Sequence, residues 1–336
     1  MLCAPLCLRA QQSVPTDHDR ARAVVLAVTA RDRKGDLVAN LQASDLTLTL
    51  DGRSQSIGTL TRQSDLPFEV GLLVDTSRSM MSSMESIRKG ADKFVDAMLP
   101  ASSGAAKNEV FLIHFDREVE LLQDFTGSRD KLYKQVEEMG PTSRSRDERE
   151  GPETMDNPRE RPGDSRLGTQ LYDAIYLASD EMMKPKNGRK SLVVVTDGVD
   201  YGSKMSLNDA VDAAEQADVT VYAIYLKGEQ GREAGLPGLN GGRPGASGDR
   251  TVDGRHILEQ IATRTGGRYF DTRRKSDLEQ IYALIATELQ GQYLLTFTPD
   301  RLDDDGAFHK ISLKANQADV TVMTREGLFA PGGSEK

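Results

Sequence analysis

The chain has 336 residues, of which 38% are hydrophobic and 5% aromatic, and it contains no tryptophan. This length fits one large domain or two modest ones better than one small domain. The 43 basic and 52 acidic side chains give a formal net charge of -9. Because nucleic acids and anionic membrane surfaces are polyanions, this acidic balance argues against a general binder of either.

The distribution of apolar residues and cysteines limits the chemistry further. No run of roughly 18 apolar residues is present, so the sequence predicts no transmembrane helix. The two cysteines, Cys3 and Cys7, lie in the first ten residues, which excludes disulfide frameworks and thiolate-bound metals from the remaining chain. Residues 1–20 begin apolar and continue polar, so we expect either a signal-peptide remnant or a disordered tail.

Short strands are predicted near both ends of the chain. Ala23–Ala30 is apolar and rich in valine, and Leu46–Leu50 alternates apolar and polar residues before the hairpin signal Asp51-Gly52. Residues 291–330 return to short strands of the same kind, followed by a tail at 331–336. Each set is too small to be stable alone, so we predict that residues 21–65 and 291–330 form one small antiparallel β-domain.

Residues 66–290 alternate apolar strands with helical segments. Phe68–Val74 is almost continuously apolar, as expected for a strand covered on both faces, and Met80–Leu99 has apolar residues at helical spacing. Parallel strands joined by helices predict an α/β fold with a doubly wound, mostly parallel sheet and helices on both faces.

Two stretches interrupt this alternation. Residues 141–168 are rich in charge and proline, and residues 227–254 are rich in glycine. We predict that both are flexible insertions, because lengthening a surface loop costs little free energy. The acidic side chains of 141–168 suggest the hypothesis that this segment competes with a partner at the neighbouring site; a passive spacer is the alternative.

Polar residues follow two of the predicted buried strands. Asp75-Thr76-Ser77-Arg78-Ser79 ends the first parallel strand, and Asp197 ends the strand at 191–196, while Thr169 opens a helix after the charged insertion. Ligands of open α/β sheets bind beyond the carboxyl ends of the strands. We therefore expect five side chains to converge on one site: Asp75, Ser77, Ser79, Thr169 and Asp197.

These five side chains offer only oxygen atoms, from two carboxylates and three hydroxyls. Such a set suits a hard cation, Mg²⁺, Mn²⁺ or Ca²⁺, and does not suit zinc or copper. Because the hydroxyls carry no charge, the cation stays electron-poor. Water or a partner's carboxylate can complete its coordination shell.

The same residues resemble the metal-ion-dependent adhesion site of von Willebrand factor type A domains. The order of strands and helices from Phe68 to about Leu289 is similar to that fold, and the flanking segments, such as Leu26–Ala30 and Arg325–Pro331, are similar to bacterial "VWFA-related" proteins of the acidobacterial type. The family pattern D-x-S-G-S has glycine where this chain has Arg78. A guanidinium is repelled by a cation, so we expect Arg78 to point outward, toward an acidic ligand.

The resemblance implies a bound Mg²⁺ (or Mn²⁺ or Ca²⁺) and a protein partner that presents an acidic residue. The predicted function is therefore a divalent-cation-dependent, adhesion-type protein–protein interaction in a secreted or periplasmic protein that is not an enzyme. The alternative is a cytoplasmic adaptor whose type A domain docks on an AAA+ ATPase of the MoxR or chelatase type.

The same residues, and a few others, allow interpretations other than a metal site. Ser77 and Ser79 can cap the following helix while the aspartates satisfy turns. A phosphoaspartyl mechanism needs a second acid at the position of Ser77. The triplet Gly163-Asp164-Ser165 has no histidine to pair with, and His114, within an apolar strand, is expected to be a hydrogen-bonded core residue. Asp300–Gly306 lacks the spacing of a calcium loop, which favours a solvated turn.

Overall fold

The computed structural model describes residues 23–62, 67–99, 108–141, 168–227, 254–272, 274, 277–302 and 305–330. Its strands are β1 (Val24–Asp32), β2 (Leu46–Leu50), β3 (Arg53–Gln55), β4 (Ile57–Thr61), β5 (Phe68–Asp75), β6 (Glu109–Phe115), β7 (Val119–Thr126), β8 (Arg189–Thr196), β9 (Val219–Leu226), β10 (Tyr269–Thr272), β11 (Tyr293–Phe297), β12 (Phe308–Ala315), β13 (Val320–Met323) and β14 (Gly327–Phe329). Its α-helices are α1 (Met84–Met98), α2 (Arg129–Glu138), α3 (Leu171–Leu177), α4 (Leu207–Gln216), α5 (Gly254–Arg264) and α6 (Leu278–Gly291).

The central sheet has six strands in the order β10-β9-β8-β5-β6-β7. All neighbours are parallel except β7, which runs antiparallel to β6. Within this sheet β5 lies in the middle. The strands β6 and β7 follow on one side of it, and β8, β9 and β10 follow on the other side. This order confirms the predicted doubly wound α/β fold, and it puts its switch point between β5 and β8.

Helices cover both faces of this sheet. The core on one face contains side chains from α1, α2 and α6, with Phe94 and Tyr282 at a ring distance of 5.6 Å. The core on the other face contains side chains from α3, α4 and α5. Every residue of β5 is buried, because this central strand is covered from both sides, as its apolar sequence predicts.

Two further four-stranded sheets combine strands from both ends of the chain. Their orders are β13-β1-β11-β4 and β14-β12-β2-β3, and all their pairs are antiparallel. Leu26, Leu48 and Leu295 are almost fully buried in the core that these sheets share. Asp51 and Gly52 have φ angles of 48° and 77° between β2 and β3, which confirms the expected hairpin turn. The division of the chain into domains stays a prediction.

Ionic contacts join these sheets to the α/β part. Arg31 on β1 pairs with Glu288 on α6, which also accepts a hydrogen bond from Arg268 at 2.8 Å. Between β13 and β14, the Glu326 amide donates to the carbonyl of Arg264, the last residue of α5, at 2.9 Å. The two parts are therefore in direct contact through both charged side chains and main-chain atoms.

Some sequence predictions fall on residues outside the described ranges. They concern the segment 1–20, the interiors of the insertions 141–168 and 227–254, the triplet Gly163–Ser165, part of Asp300–Gly306 and the tail 331–336. Within the described ranges, no helix is both long enough and apolar enough to cross a membrane.

Candidate metal centre

The two candidate carboxylates lie at the switch point of the sheet. Asp75 is the last residue of β5, and Asp197 directly follows β8. Because β5 and β8 are paired in parallel, with Val74 opposite Val195, their carboxyl ends reach the same edge of the sheet. The fold therefore brings these two residues together. Asp75 and Thr196, the residue before Asp197, are 121 positions apart in the sequence.

A chain of hydrogen bonds connects four of the five predicted residues. The Ser77 amide donates to Asp75 Oδ1 at 2.9 Å, and the Ser77 and Ser79 hydroxyl oxygens are 3.1 Å apart. The Ser79 hydroxyl donates to Asp197 Oδ2 at 2.8 Å. Oxygen atoms from both strand ends thus face one another across a few ångströms.

The segment after β5 adopts a conformation that keeps both serine hydroxyls at the site. Met80 N donates to Ser77 O at 3.0 Å and opens a 3-10 turn, Arg78–Ser83, before α1. Sequence periodicity predicted one helix over Met80–Leu99, so its first turn is tighter than expected. Ser77 is the residue that caps this turn, but its side chain makes no capping hydrogen bond. Simple helix capping therefore does not account for the Ser77 hydroxyl.

Asp75 lies in an unfavourable environment for a negative charge. Its side chain is fully buried, and Thr196 Oγ1 donates to its Oδ2 at 2.6 Å. Burial, reinforced by the negative charge of Asp197, raises the pKa of Asp75 to about 7, against the opposing effect of hydrogen bonds from Ser77 and Thr196. Within the described part of the chain, no Lys or Arg side chain forms an ion pair with either aspartate.

Thr169 lies in a third loop and is tied to the loop of Asp197. Its amide donates to the Tyr201 carbonyl at 3.0 Å, and the Tyr201 amide donates back to the Thr169 carbonyl at 2.8 Å. The Thr169 residue is buried. Among the described residues, no hydrogen bond joins its side chain to the other four candidates. Thr169 is therefore not part of their hydrogen-bond network.

Sequence reasoning missed two residues that organise this edge. Thr196 holds Asp75 and also accepts the Gly198 amide at 3.1 Å, and Tyr201 fixes Thr169. The position of Thr196, between an apolar strand and Asp197, is a signal that could have identified it. The Tyr201 contact joins loops far apart in sequence, so no local pattern predicts it.

The burial of His114 and the exposure of Arg78 agree with what the sequence predicted for each. His114 is buried, with Nδ1 at 2.6 Å from the Gly140 carbonyl and Nε2 at 2.9 Å from Glu120 Oε2, which confirms a hydrogen-bonded core histidine. Arg78 is exposed, which agrees with the outward orientation expected from the sequence.

The donor set fits a hard divalent cation. Its side chains supply only carboxylate and hydroxyl oxygens, and they include the buried acid Asp75, which forms no ion pair with a Lys or Arg of the described residues. Among the described residues, no group of three or more His, Cys, Asp or Glu side chains could hold a metal ion. A cation bound at this edge would therefore need uncharged oxygen ligands beside the two aspartates, and the hydroxyls of Ser77 and Ser79 lie next to those carboxylates.

Two family models of the von Willebrand factor type A domain match the chain, one over residues 70–199 and the other over residues 158–284. The matches together span β5 to α6 almost completely, including all five candidate ligands. The chain contains a von Willebrand factor type A domain. The family resemblance that the sequence indicated is thereby confirmed at the level of this domain.

Several solved structures are similar to the chain. The protein BatB from Bacteroides thetaiotaomicron is 19% identical, with 66% of this chain and 98% of that chain covered and a TM-score of 0.45. The vWF domain of the type V pilus tip protein Mfa5 from Porphyromonas gingivalis is 13% identical, with 66% and 95% covered and a TM-score of 0.45. Proximal thread matrix protein 1 from the mussel byssus, with a zinc-occupied MIDAS motif, is 14% identical, with 67% and 48% covered and a TM-score of 0.44. None of the curated proteins matches the chain.

Proposed function

We propose that this von Willebrand factor type A domain binds a divalent cation and uses it to capture an acidic residue of a protein partner. The supporting observation is the Ser79 hydroxyl, which is hydrogen-bonded to Asp197 and lies 3.1 Å from the Ser77 hydroxyl. Ser77, Ser79 and Thr169 would hold Mg²⁺, Mn²⁺ or Ca²⁺, with Asp75 and Asp197 bound directly or through water. The cation would supply the positive charge that attracts the partner's carboxylate.

The electrostatics of the site favour this proposal. Asp75 has no contact with solvent, and the nearby charge of Asp197 makes its ionisation still more costly. A divalent cation would offset both negative charges, as opposite charges do at short distance in a low-dielectric site. Three uncharged hydroxyl ligands leave that cation with positive charge to share with a further carboxylate.

We propose binding and not catalysis at this site. Two residues after Asp75 the chain has Ser77, a hydroxyl that cannot replace the acid needed to protonate a leaving group. Both ring nitrogens of His114 are engaged with Gly140 and Glu120, so this histidine is not available as a general base. The neighbouring carboxylate and hydroxyl side chains are suited to holding a cation.

We further propose that the domain acts outside the cytoplasm, as a secreted or periplasmic protein. The support is the apolar composition of residues 1–12, which is similar to part of a signal segment. Fractionation of bacteria that express the full chain with a carboxyl-terminal tag tests this. Recovery of the tagged chain only from the cytoplasm would contradict an extracytoplasmic location and favour the adaptor alternative.

Calorimetric titration tests the metal site. Full-length chain stripped with a chelator should bind Mg²⁺ or Mn²⁺ at one site, and Asp75→Asn should abolish the heat of binding. Asp180→Asn is the matched control, because Asp180 forms an ion pair with Lys184 in the π-helical turn after α3 and is not one of the candidate ligands. Circular dichroism verifies that each variant is folded. Equal metal affinity of the Asp75→Asn variant and the parent would show that the assignment is wrong.

A further inference from the structure

Arg78 gives the rim of the candidate metal centre a local positive charge. It is exposed and lies between Ser77 and Ser79, two of the three hydroxyl residues of the site. Since consecutive Cα atoms are about 3.8 Å apart, its guanidinium can reach a carboxylate that also approaches the metal centre.

Two apolar side chains on the same rim are exposed. Large exposed hydrophobic residues are few in the described part of the chain, and two of them lie in the loops that carry candidate ligands: Met81, at 38% exposure, and Tyr201, at 56%. Met81 belongs to the 3-10 turn that begins at Arg78, and Tyr201 follows Asp197 by four residues. The rim therefore offers apolar contact area on both sides of the switch point.

Main-chain hydrogen bonds fix the backbone that carries these two side chains. Tyr201 exchanges two hydrogen bonds with Thr169, at 3.0 and 2.8 Å, and the turn bearing Met81 is fixed by the Met80–Ser77 bond. A tyrosine on an ordered loop provides a large contact area at a small cost in conformational entropy. Exposed aromatic and arginine side chains of this kind often dominate the binding energy of an interface.

From this arrangement we propose that the site selects a protein segment with two acidic residues next to an apolar one. One carboxylate would bind the cation, the second would pair with Arg78, and the apolar side chain would pack against Tyr201 and Met81. This inference rests on the proposed function of the site. It adds a requirement that the metal alone does not impose, because a bare cation accepts any single accessible carboxylate.

The short range of electrostatic interactions in salt solution explains why the second acid must lie close to the first. The Debye length is about 8 Å at physiological ionic strength, so the overall negative charge of the chain repels a distant acidic segment only weakly. Within that distance, the cation and Arg78 would both attract it. A segment with two carboxylates a few residues apart gains from both positive charges, whereas a single acid gains from one.

A peptide selection tests the proposal. A phage-displayed library of random dodecapeptides is selected on the immobilised full chain in Mn²⁺, with EDTA in parallel. The wild-type chain should enrich peptides with paired acids beside a Leu, Phe or Tyr, whereas Arg78→Ala should enrich peptides with a single acid. Arg33→Ala is the matched control, because Arg33 is exposed in the turn after β1 and should leave the selection unchanged.

Anisotropy measurements with one enriched synthetic peptide complete the test. Replacing its second acid by the amide should weaken binding to the wild-type chain by up to about fivefold, the range expected for an exposed charged pair, and should leave binding to Arg78→Ala unchanged. Tyr201→Ser should weaken both peptides equally. If Arg78→Ala selects the same paired acids as the wild type, the inference is wrong and the metal site stands. If neither protein enriches peptides in a cation-dependent way, the proposed function itself fails.

Discussion

The hydroxyl of Ser79 donates a 2.8 Å hydrogen bond to Oδ2 of Asp197, a residue 118 positions further along the chain. This bond joins the loops that follow β5 and β8, the two strands at the switch point of the sheet. Both groups carry lone pairs that a cation could use in place of the hydrogen bond. The bond therefore identifies the place where the two halves of the proposed metal site meet.

The first prediction concerns Ser79→Ala. This change removes one proposed ligand and the bond to Asp197, so it should lower Mn²⁺ affinity about tenfold, or about 1.4 kcal/mol. The stability of the fold should fall by about 1–2 kcal/mol, since the partly buried hydrogen bonds of this hydroxyl with Asp197 and with Ser77 are both lost. Calorimetry and urea denaturation measure the two effects. Ser54→Ala, at an exposed serine of β3, is the control; equal losses in both variants would contradict a special role for Ser79.

The second prediction concerns the effect of Arg78 on the metal itself. Removing this exposed positive charge should strengthen Mn²⁺ binding by up to about fivefold at low salt, because exposed charge pairs contribute about 0–1 kcal/mol. Arg78→Glu should strengthen it more than Arg78→Ala. Calorimetry at two salt concentrations measures the effect, which should shrink at high salt. Unchanged affinity at low salt would mean that the guanidinium lies too far from the cation to influence it.

Much of this site follows from local sequence. The apolar run of β5 predicts a buried parallel strand, and the acid after it marks the strand end. The same logic applies to β8 and Asp197, so the sheet-edge rule predicted that the two carboxylates would lie near each other. The hydrogen bonds from Ser77 to Asp75 and from Ser79 to Asp197 agree with that expectation.

Other features depend on long-range packing that no local pattern encodes. The pairing of Thr169 with Tyr201 joins two loops through main-chain atoms, which are the same in every residue type. The α3 helix continues as a π-helical turn at Ala178–Met183, and apolar periodicity did not distinguish that turn from ordinary helix. The antiparallel direction of β7, by contrast, follows from its short local connection to β6.

The third prediction concerns the close approach of Gly198 and Gly254. Gly198 has a φ of 75°, and a Cβ atom there would lie 2.4 Å from the Gly254 carbonyl oxygen. Gly198→Ala should therefore destabilise the fold by about 1–3 kcal/mol and displace the loop of Asp197. Weaker metal binding should accompany the loss of stability. Gly202→Ala is the control, because it shares a positive φ, 98°, but has open space around its Cβ; equal metal affinity in the two variants would contradict the packing argument.

The fourth prediction is a pH dependence at Glu288. Burial raises the pKa of this carboxyl above its ordinary value of 4.5, although Arg31 and Arg268 act to lower it. The native state then keeps a proton that the unfolded chain has released. The contribution of Glu288 to the free energy of unfolding should therefore fall as the pH rises from about 4.5 through the raised pKa.

Glu288→Gln tests this sign, because glutamine cannot titrate. The unfolding free energy of the wild type relative to Glu288→Gln should be lower at about pH 7 than at about pH 4. Urea denaturation at both values measures the difference. Glu279→Gln, at an exposed position on the same helix, should show no such trend. A relative stability that rises with pH would show that the two arginines outweigh the cost of burying the charge.

The last prediction concerns the two ends of the chain. We predict that residues 21–65 and 291–330 form one β-domain, and the pairing of β1 with both β11 and β13 supports this. Leu48 and Leu313, neighbours across β2 and β12, are both buried in the same core.

A protease site in place of residues 63–66 would cut the connection between β4 and β5. After cleavage, the amino-terminal fragment should remain bound to the rest on a sizing column and separate only in denaturant, since its apolar core cannot be completed alone. An intact central fragment that elutes without the amino-terminal one under native conditions would contradict the shared domain.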